Sequence, residues 1–461
     1  MDTIIEITYL ISSVFFIFGI KELSSPKTAR RGNLYAAIGM LLAIVVTLLD
    51  KHVLTYEWII IGIIIGSAIG TVMALKVKMT GMPQMVGMLN GFGGGASTLV
   101  ALSEFYKTRP DIPVNVGVAI VLSLLIGGVT FTGSMIAFGK LQGLVTGKVV
   151  KYPGQHPLNL LLLLFVLGAG AYLVVNPFSL LLAVIITAVS LILGVLLVLP
   201  IGGADMPVAI SLLNSYSGLA GSTTGFVLGN NELIIAGALV GASGIILTNI
   251  MCKAMNRSLM NVLLGGWASA GSASGTSSNA QSIKGDVKSV DAEEAAMIFD
   301  SASSVIIVPG YGMAVAQAQH AVRDLTVALE KKGIKVRFAI HPVAGRMPGH
   351  MNVLLAEANV PYDKLYALED INDDFSNTDI ALIIGANDVV NPAARHDKNS
   401  PIYGMPILNV DYAKTVIINK RSLNVGYAGI DNELFFAPNA LMYFGDAKDA
   451  VTKLTNEIKN M

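Results

Sequence analysis

The sequence predicts a multi-span α-helical membrane domain followed by a soluble α/β domain with a doubly wound parallel sheet. Of the 461 residues, 53% are hydrophobic and 13% charged, and the mean hydropathy is +0.64, far more apolar than a soluble protein. Long apolar runs fill the chain to about residue 252, whereas most charged side chains follow residue 285. In that later part, strand-like runs alternate with helical patterns.

The apolar runs predict nine membrane spans, because a bilayer core of about 30 Å takes roughly 20 apolar residues per helix. The predicted spans lie near residues 4–22, 33–49, 57–75, 84–104, 113–139, 158–175, 178–200, 206–228 and 233–252. Most Lys and Arg residues of the connecting loops fall on one side, which the positive-inside rule assigns to the cytoplasm. An odd number of spans then puts the N-terminus outside and the charged C-terminal part in the cytoplasm.

Composition also divides the chain into domains. Residues 264–290 are rich in Gly, Ser and Ala without an apolar period, which predicts a flexible linker. The transmembrane domain then covers residues 1–263 and the soluble domain residues 291–461. Lys plus Arg and Asp plus Glu number 31 each, so no charge excess indicates a nucleic-acid partner.

The soluble part has the pattern of a Rossmann-like sheet. Its strand-like runs are SVIIV, KVRFAI, KLYAL, DIALIIG, PILNV and TVIIN, and a helical pattern covers AVAQAQHAVRDLTVALEKK. Ligands of such sheets bind at the carboxyl ends of the strands. The loops that follow the strands are therefore the candidate site.

The first of these loops, GYGMAV, has a nucleotide-binding pattern. Gly310 permits a tight turn, Gly312 allows the backbone to approach a pyrophosphate, and the following helix offers its N-terminal amides. Val315 stands in place of the third glycine of the fingerprint. We expect a dinucleotide here.

Charges near the second loop favour NADP(H) over NAD(H). The second strand ends in His341, where an NAD-binding domain would place a carboxylate for the ribose 2′-hydroxyl. Arg346, Lys420 and Arg421 are basic instead, and guanidinium geometry suits a 2′-phosphate. For Lys420 and Arg421 a solvated charge pair is the alternative.

Three further loops open with glycine: GANDVVNPA at 385–393, GMP at 404–406 and GDAKD at 445–449. Asp388 is a candidate for orienting an amide or a ribose. The alternative for each loop is an ordinary turn with Asp or Asn as a helix cap.

These motifs resemble one family. GYGMAVAQAQ, HPVAGRMPGHMNVLLAEA, INDDF, GANDVVNPAA, KRSLNVGYAG and GDAK follow one another in the order of the β subunit of the proton-translocating nicotinamide nucleotide transhydrogenase. The resemblance continues through VTFTGSMIAFGKL, IGGADMPVAISLLNSYSG and IMCKAMNRS in the membrane part, so it covers essentially the whole chain. It implies that the soluble domain holds NADP(H) and exchanges hydride with NAD(H) held by a partner α subunit. It also implies a dimer of such assemblies among the lipids of a bacterial inner membrane.

The resemblance further implies a reversed cofactor, with its 2′-phosphate and ribose at residues 420–427. The glycine pattern and this resemblance together predict the residues for NADP(H) binding: Gly310, Tyr311, Gly312, Val315, Val343, Ala344, Gly345, Arg346, Met347, Pro348, Gly385, Ala386, Asn387, Asp388, Val389, Gly404, Met405, Lys420, Arg421, Ser422, Leu423, Asn424, Val425, Gly426, Tyr427, Asp446 and Ala447. Hydride transfer needs no protein nucleophile, so we predict no catalytic acid, base or nucleophile and no metal ligand. One nucleotide site alone requires a partner to complete the reaction.

Polar residues in the predicted spans are candidates for a proton path, because polar groups in a bilayer are costly. In the eighth span Ser215 and Ser222 lie on one helical face, with Asn214 beside them. Polar groups that hold helices together are an equally good interpretation. Asn90 stands where several bacterial relatives carry a histidine, and it cannot titrate, so we expect the proton-carrying group on a partner helix.

Asp205, in the turn before the eighth span, is the candidate for coupling proton movement to the nucleotide domain. A helix cap is the alternative. We expect Asp205→Asn to spare NADP(H) binding and to slow proton-coupled turnover. The alternative function for the whole chain is a transporter or channel gated by a nucleotide-sensing domain, which would exchange no hydride.

Overall fold

The structure is a computed structural model that describes residues 2–25, 27–49, 56–77, 81–147, 149–255, 258–263, 287–347, 349–398, 400, 402–426 and 428–461. Most of the predicted linker, residues 264–286, lies outside the described residues, as do the predicted site residues Pro348 and Tyr427. The chain forms two compact units, of which the first runs to Thr248 and the second holds the C-terminal sheet.

The first unit is a helical bundle. Its helices and the short helix that follows are α1 (Asp2–Leu23), α2 (Ala29–Leu48), α3 (Glu57–Lys76), α4 (Met82–Thr108), α5 (Val114–Gln142), α6 (Gln155–Val175), α7 (Leu180–Val198), α8 (Met206–Leu228), α9 (Asn231–Ala254) and α10 (Leu259–Leu263). In the described part of the chain, eight of these helices are long and apolar enough to cross a membrane. The multi-span membrane domain is thereby confirmed.

The eighth predicted span, α8, forms a helix of 23 residues but is not among the eight helices that are apolar enough to cross a membrane. Its Ser, Thr, Asn and Gly residues lower its hydropathy. Most of its side chains are buried against α4, α5 and α9 instead of facing outward. A helix that is covered by other helices can carry polar side chains that a lipid-facing helix cannot.

Small residues allow the helices of this bundle to approach closely. The central helix is α5, which packs on α4, α6, α7 and α8. A Cβ atom on Gly94 of α4 would lie 2.9 Å from the Gly127 carbonyl oxygen of α5, and one on Gly128 would lie 3.0 Å from Ser190 Cβ of α7. The close packing therefore depends on glycines, which have no side chain at these contacts, as is common between membrane helices.

The second unit is built on a six-stranded parallel sheet with the strand order β3-β2-β1-β4-β5-β6. The strands are β1 (Ser304–Pro309), β2 (Lys335–Ile340), β3 (Leu365–Ala367), β4 (Ile380–Ile384), β5 (Thr415–Lys420) and β6 (Ala440–Phe444). The helices are α11 (Ala292–Asp300), α12 (Tyr311–Val315), α13 (Gln319–Lys331), α14 (His350–Glu357), α15 (Leu368–Ile371), α16 (Ala393–His396) and α17 (Ala447–Asn460). This is the order of a doubly wound dinucleotide-binding sheet, so the predicted Rossmann-like fold is confirmed.

One predicted strand is wrong. PILNV at 406–410 does not join the sheet. Its residues Leu408 and Val410 lie in the hydrophobic core that covers one face of the sheet. Pro406 has no amide to donate to a sheet ladder. The Asn372 side chain binds this segment instead, donating from Nδ2 to the Ile407 carbonyl at 3.0 Å and accepting from the Asn409 amide at 2.7 Å.

The helix predicted after GYGMAV is divided. The five-residue α12 ends at Val315, and α13 begins at Gln319. Between them Gln317 has a left-handed backbone with φ +52°, and the Ala318 amide donates to the Met313 carbonyl at 3.0 Å. Such a left-handed residue and backward hydrogen bond end a helix. Only the short α12 therefore directly follows the glycine loop.

Candidate functional site

The loops that follow β1 and β4 interlock at the point where the strand order reverses. The Gly310 amide donates to the Ile384 carbonyl and the Gly312 amide to the Gly385 carbonyl, both at 2.9 Å. A Cβ atom on Gly312 would lie 2.6 Å from the Gly385 Cα. Gly385 itself has φ +66°, a conformation that favours glycine. The first and fourth strands thus present one continuous edge at the switch point, where such folds bind ligands.

This contact revises the predicted reason for Gly312. The sequence pattern assigned the missing side chain to a close approach of a pyrophosphate. In the structure the space where its Cβ would stand is taken by the Gly385 backbone. Gly312 is therefore needed for the two loops to meet.

Two histidines brace the loop that follows β2. The Val343 amide donates to His341 Nδ1 at 3.3 Å, and the Arg346 amide donates to His350 Nδ1 at 3.1 Å. Each Nδ1 is therefore an acceptor, so each neutral ring carries its hydrogen on Nε2. His341 Nε2 then donates to the Pro406 carbonyl at 2.8 Å.

Burial keeps both rings neutral. Desolvation lowers the pKa of His341 to about 4, against smaller opposite effects of the Pro406 carbonyl and Glu369. Desolvation, followed by the nearby Arg346 charge, lowers the pKa of His350 to about 4. At neutral pH both Nδ1 atoms are thus free of a proton and can hold the loop amides.

The loops after β1 and β2 meet through side chains. The Arg346 guanidinium lies over the Tyr311 ring, 4.4 Å from its centroid, and the Tyr311 and His350 ring centroids are 6.3 Å apart. His350 Nε2 is buried and has no hydrogen-bond partner among the described residues. This N–H group is therefore an unpaired donor near the carboxyl ends of the strands.

The loop after β4 supplies a second unpaired donor. Asn387 Oδ1 accepts from Asn432 Nδ2 at 3.0 Å, which orients the amide group. Its Nδ2 is buried without a hydrogen-bond partner in the described part of the chain. A buried donor left unpaired costs roughly 1–3 kcal/mol, so a ligand acceptor at this position fits the site.

The loops after β4 and β5 also touch. The Ala428 amide donates to Asp388 Oδ2 at 3.0 Å. A Cβ atom on Gly426 would lie 2.6 Å from Asn387 Nδ2, so this glycine is required for the approach. Asp388 thus holds the segment after β5 beside the segment after β4.

The two adjacent cations differ in their surroundings. Lys420 Nζ donates to the Asn424 carbonyl at 2.7 Å and lies 4.6 Å from the centroid of the Phe435 ring. Burial lowers the pKa of Lys420, and Asp388 opposes this. Arg421 is exposed. Among the described residues its guanidinium forms no hydrogen bond or ion pair, so it is available to bind an anion.

The remaining predicted loops join the same edge. The Gly445 amide donates to the Lys420 carbonyl at 3.0 Å, and Asp446 caps α17 by accepting from the Lys448 amide at 3.2 Å. Gly404 has φ +76° and donates its amide to the Ala394 carbonyl at 2.8 Å. Met405 lies in a buried cluster with Ala394, Ile402 and Ile407, against Ala428 and Ile430.

Fifteen of the predicted residues fall into three groups. Contacts between loops join Gly310, Tyr311, Gly312, Arg346, Gly385, Ala386, Asn387, Asp388, Lys420 and Gly426. Val315, Leu423 and Val425 are exposed and take part in no such contact among those recorded for the described residues. Pro348 and Tyr427 lie outside the described residues.

Sequence reasoning missed the residues that hold the loops. His341 and His350 stand at the two ends of HPVAGRMPGH, and that placement was the available signal. Asn372 and Asn432 act by side-chain hydrogen bonds across 35 and 45 residues of sequence. No local pattern predicts such a long-range partner.

The turn before α8 is held by a buried lysine. Lys140, at the end of α5, is 6% exposed and donates to the Leu199 carbonyl at 2.5 Å and the Ile201 carbonyl at 2.7 Å. A cation at the carbonyl end of α7 is electrostatically favourable. Asp205 occupies the N-cap position of α8, but its carboxylate makes no cap hydrogen bond.

The polar face of α8 packs on α9. Ser215 Oγ donates to the Gly241 carbonyl at 2.5 Å and Ser222 Oγ to the Ile234 carbonyl at 3.2 Å, whereas Asn214 is exposed. Thr248 Oγ1 donates to Ser211 Oγ at 3.0 Å. These bonds fit the helix-packing interpretation of the serines, and a proton path along them stays a prediction.

Asn90 is also bonded between helices. Its Nδ2 donates to Ser134 Oγ of α5 at 2.9 Å. Asn90, which cannot titrate, thus forms a neutral hydrogen bond between α4 and α5.

Comparison with known proteins agrees with this arrangement over the whole chain. The family model of the NAD(P) transhydrogenase beta subunit matches residues 5–457. Two relatives from Rhodospirillum rubrum, each named NAD(P) transhydrogenase subunit beta, are 53% identical over 460 residues, covering 98% of this chain and 97% of theirs. The match of the family model over nearly the whole chain and the 53% identity to these relatives show that the chain belongs to the NAD(P) transhydrogenase beta subunit family.

Proposed function

We propose that this subunit binds NADP(H) and exchanges hydride with NAD(H) on a partner α subunit while a proton crosses the membrane. The net reaction is NADH + NADP⁺ + H⁺(out) giving NAD⁺ + NADPH + H⁺(in). One proton moving down 100 mV releases about 2.3 kcal/mol, enough to bias an exchange between two similar cofactors. The enzyme is then active only with its partner subunit.

One observation carries the nucleotide assignment: the loops at the carboxyl ends of the strands hold two unsatisfied buried donors and an exposed guanidinium. Asn387 Nδ2 and His350 Nε2 are buried donors without a partner among the described residues, and Arg421 is exposed. A dinucleotide phosphate offers the acceptors that such donors need, and a 2′-phosphate suits a guanidinium. The residue after β2 is the buried, neutral His341, whereas an NAD-binding domain would place there a carboxylate for the ribose 2′-hydroxyl.

The residues of this chain act by binding and orientation. The bound nicotinamide supplies the hydride chemistry. The Gly312 and Gly385 contact brings two loops close enough to share one ligand, and Lys420 fixes the segment that presents Arg421. No acid, base or nucleophile of this chain is required at the reacting carbon.

The membrane assignment rests on the eight apolar helices and on family membership. We propose a bacterial inner-membrane location with the N-terminus outside and the sheet domain cytoplasmic, following the distribution of Lys and Arg. The subunit names of the relatives indicate an α subunit as partner. Two such assemblies would pair as a dimer within the lipid.

The test is titration of the detergent-solubilised full chain with NADP⁺ and NAD⁺, in the wild type and in Arg421→Ala. We expect NADP⁺ to bind in preference to NAD⁺. Arg421→Ala should weaken NADP⁺ binding by about 1.5–3 kcal/mol, the range for hydrogen bonds to charged groups. NAD⁺ binding should not change.

The matched control is Lys335→Ala, which removes one positive charge from the amino end of β2, at the opposite edge of the sheet. This variant should bind NADP⁺ like the wild type. Equal binding of both nucleotides, or equal weakening by both substitutions, would contradict the NADP(H) assignment and favour a nucleotide-sensing gate.

A further inference from the structure

Glu232 is a carboxyl group buried within the helical unit. It lies in the first turn of α9 and is 5% exposed. Of the acidic side chains that the structure describes in this unit, it alone is buried. An ionised carboxylate among apolar helices is costly, so an acid kept in such a place marks a proton or ion site.

A serine from another helix holds this carboxyl. Ser12 of α1 is completely buried, and its Oγ hydrogen-bonds to Glu232 Oε1 and, at 2.7 Å, to the Gly39 carbonyl of α2. Ser12 and Gly39 stand about ten residues from the ends of their helices, which is roughly 15 Å at 1.5 Å per residue. The carboxyl therefore faces the middle of the α1 and α2 pair.

Counting hydrogens shows which form of Glu232 fits this arrangement. A serine hydroxyl has one hydrogen to donate, and a backbone carbonyl only accepts. If the hydroxyl donates to Gly39, the contact with Glu232 is a hydrogen bond only when Glu232 carries a proton and donates it to Oγ. If Glu232 loses that proton, the hydroxyl must turn to the carboxylate and leave the Gly39 carbonyl. The trio thus has two arrangements that differ by one proton.

No charged group in the part of the chain that the structure describes forms an ion pair with Glu232. The titratable and charged side chains described on the adjoining helices are Glu6, Tyr9, Lys21 and Glu22 of α1, Arg30, Arg31 and Tyr35 of α2, Tyr216 of α8, and Cys252 and Lys253 of α9. None of them forms a recorded hydrogen bond or ion pair with Glu232 in the described residues. The Tyr9 hydroxyl pairs with Thr47 at 2.9 Å, and the Tyr35 ring packs near Phe15.

We propose that Glu232 is a proton-binding site of the membrane unit, which takes up and releases one proton while the Ser12 hydroxyl turns between the Gly39 carbonyl and the carboxylate. No covalent bond changes other than the O–H bond of the carboxyl. The inference deepens the proposed function, since it assigns a titratable group to a chain whose Asn90 has none. It rests on that function for its role in coupled turnover.

The experiment uses the complete enzyme, with its α partner, in liposomes. Proton-coupled NADPH formation under an imposed membrane potential is measured beside NADP⁺ affinity. We expect Glu232→Gln to lower the coupled rate at least about tenfold, within the range seen on removing a proton-transferring group, with unchanged NADP⁺ affinity. Glu232→Asp keeps a carboxyl and should retain part of the rate. Ser12→Ala should shift the pH of half-maximal rate.

Infrared difference spectra between low and high pH give a readout that a merely structural role would not move. The wild type should show the carbonyl stretch of a protonated carboxylic acid, lost in Glu232→Gln and displaced in Ser12→Ala. The matched control is Glu104→Gln, an acid-to-amide change in α4 at a side chain that pairs with Lys107. It should leave the band and the rate unchanged.

A wild-type coupled rate in Glu232→Gln, or a spectrum identical to that of the wild type, would overturn the proposal. A wild type that exchanges hydride without proton movement would overturn the proposed function instead, and the infrared band would then decide alone whether Glu232 binds a proton. If Glu232→Gln does not assemble, Glu232→Asp and Ser12→Ala carry the test: an unshifted pH profile and band in both would overturn the proposal.

Discussion

The contact between the β1 and β4 loops and the contact between α8 and α9 are both made by glycines, but their neighbouring polar atoms differ. In both regions glycine lets two backbones touch. Gly312 meets Gly385 between two loops, and Gly218 meets Gly237 and Gly241 between two helices. Around the helix contact the recorded hydroxyls are paired, whereas around the loop contact two buried donors remain unpaired in the described residues.

The surrounding medium explains this difference. Between membrane helices no water is present to satisfy a polar group, so each hydroxyl must find a carbonyl within the bundle. Ser215 and Ser222 do so through α9. At the sheet edge a donor such as Asn387 Nδ2 can be satisfied by water or by a ligand. Unpaired donors therefore distinguish a binding edge from a packing contact, although both depend on glycine.

The largest effect should come from breaking the loop contact. In Gly312→Val the new Cβ would lie 2.6 Å from the Gly385 Cα, so the β1 and β4 loops must separate and the shared edge is lost. We expect NADP⁺ affinity of the full chain to fall at least about 100-fold, close to 3 kcal/mol, which is typical of forced overpacking. Equilibrium titration measures it.

The control for this prediction is Gly333→Ala. Gly333 has φ +81°, with nothing within 4 Å of its missing Cβ, and lies in the turn between α13 and β2. It should cost about 1 kcal/mol of unfolding free energy through backbone strain and leave NADP⁺ affinity unchanged. Equal loss of affinity in both variants would show that general destabilisation, and not the loop contact, controls binding.

The sequence predicted the loops but not how they are held. Strand, glycine and helix patterns located the β1 and β4 loops correctly, because those signals are local. PILNV was misassigned, since its apolar residues look the same whether they extend a sheet or cover its face. The role of Gly312 also depended on Gly385, 73 residues later, and only the three-dimensional contact reveals it.

In the membrane unit the apolar runs were sufficient to place the helices, and the polar residues were not sufficient to assign their purpose. Ser215 and Ser222 were equally consistent with a water path or a helix contact. In the structure both serine hydroxyls donate to backbone carbonyls of α9. No local sequence pattern predicts a role for Glu232, because its partner Ser12 lies 220 residues away.

Lowering the pH should have an intermediate effect on the sheet domain. The loop after β2 is held by two histidines that must be neutral to accept its amide hydrogens. His341 has a pKa of about 4 when folded and about 6.5 when unfolded. Between these values the unfolded chain binds more protons, so this contribution to stability is complete above pH 6.5 and is lost as the pH falls towards 4. The difference amounts to roughly 3 kcal/mol for His341.

Hydrogen–deuterium exchange on the full chain would measure this effect. The Val343 and Arg346 amides, which donate to the two histidines, should lose protection between pH 6.5 and 4 after correction for intrinsic exchange. Amides of α8 and α9 should show no such loss. The control His320→Gln, at an exposed histidine of α13, should keep the same profile. Unchanged protection of the loop amides across this range would contradict the bracing role.

The smallest expected effect tests the helix contact with a matched pair of substitutions in α8. Gly218→Ala would place a Cβ 2.8 Å from the Gly237 carbonyl oxygen, whereas Gly221→Ala has nothing within 4 Å. Both changes raise helix propensity equally, so the difference between them isolates the close approach. We expect Gly218→Ala to be less stable than Gly221→Ala by about 1–3 kcal/mol, measured by unfolding of the detergent-solubilised chain. NADP⁺ affinity should be the same in both variants, because none of the buried unpaired donors in the described residues lies in this contact. A parallel loss of NADP⁺ affinity would mean that the helix contact and the loops of the sheet domain are energetically linked.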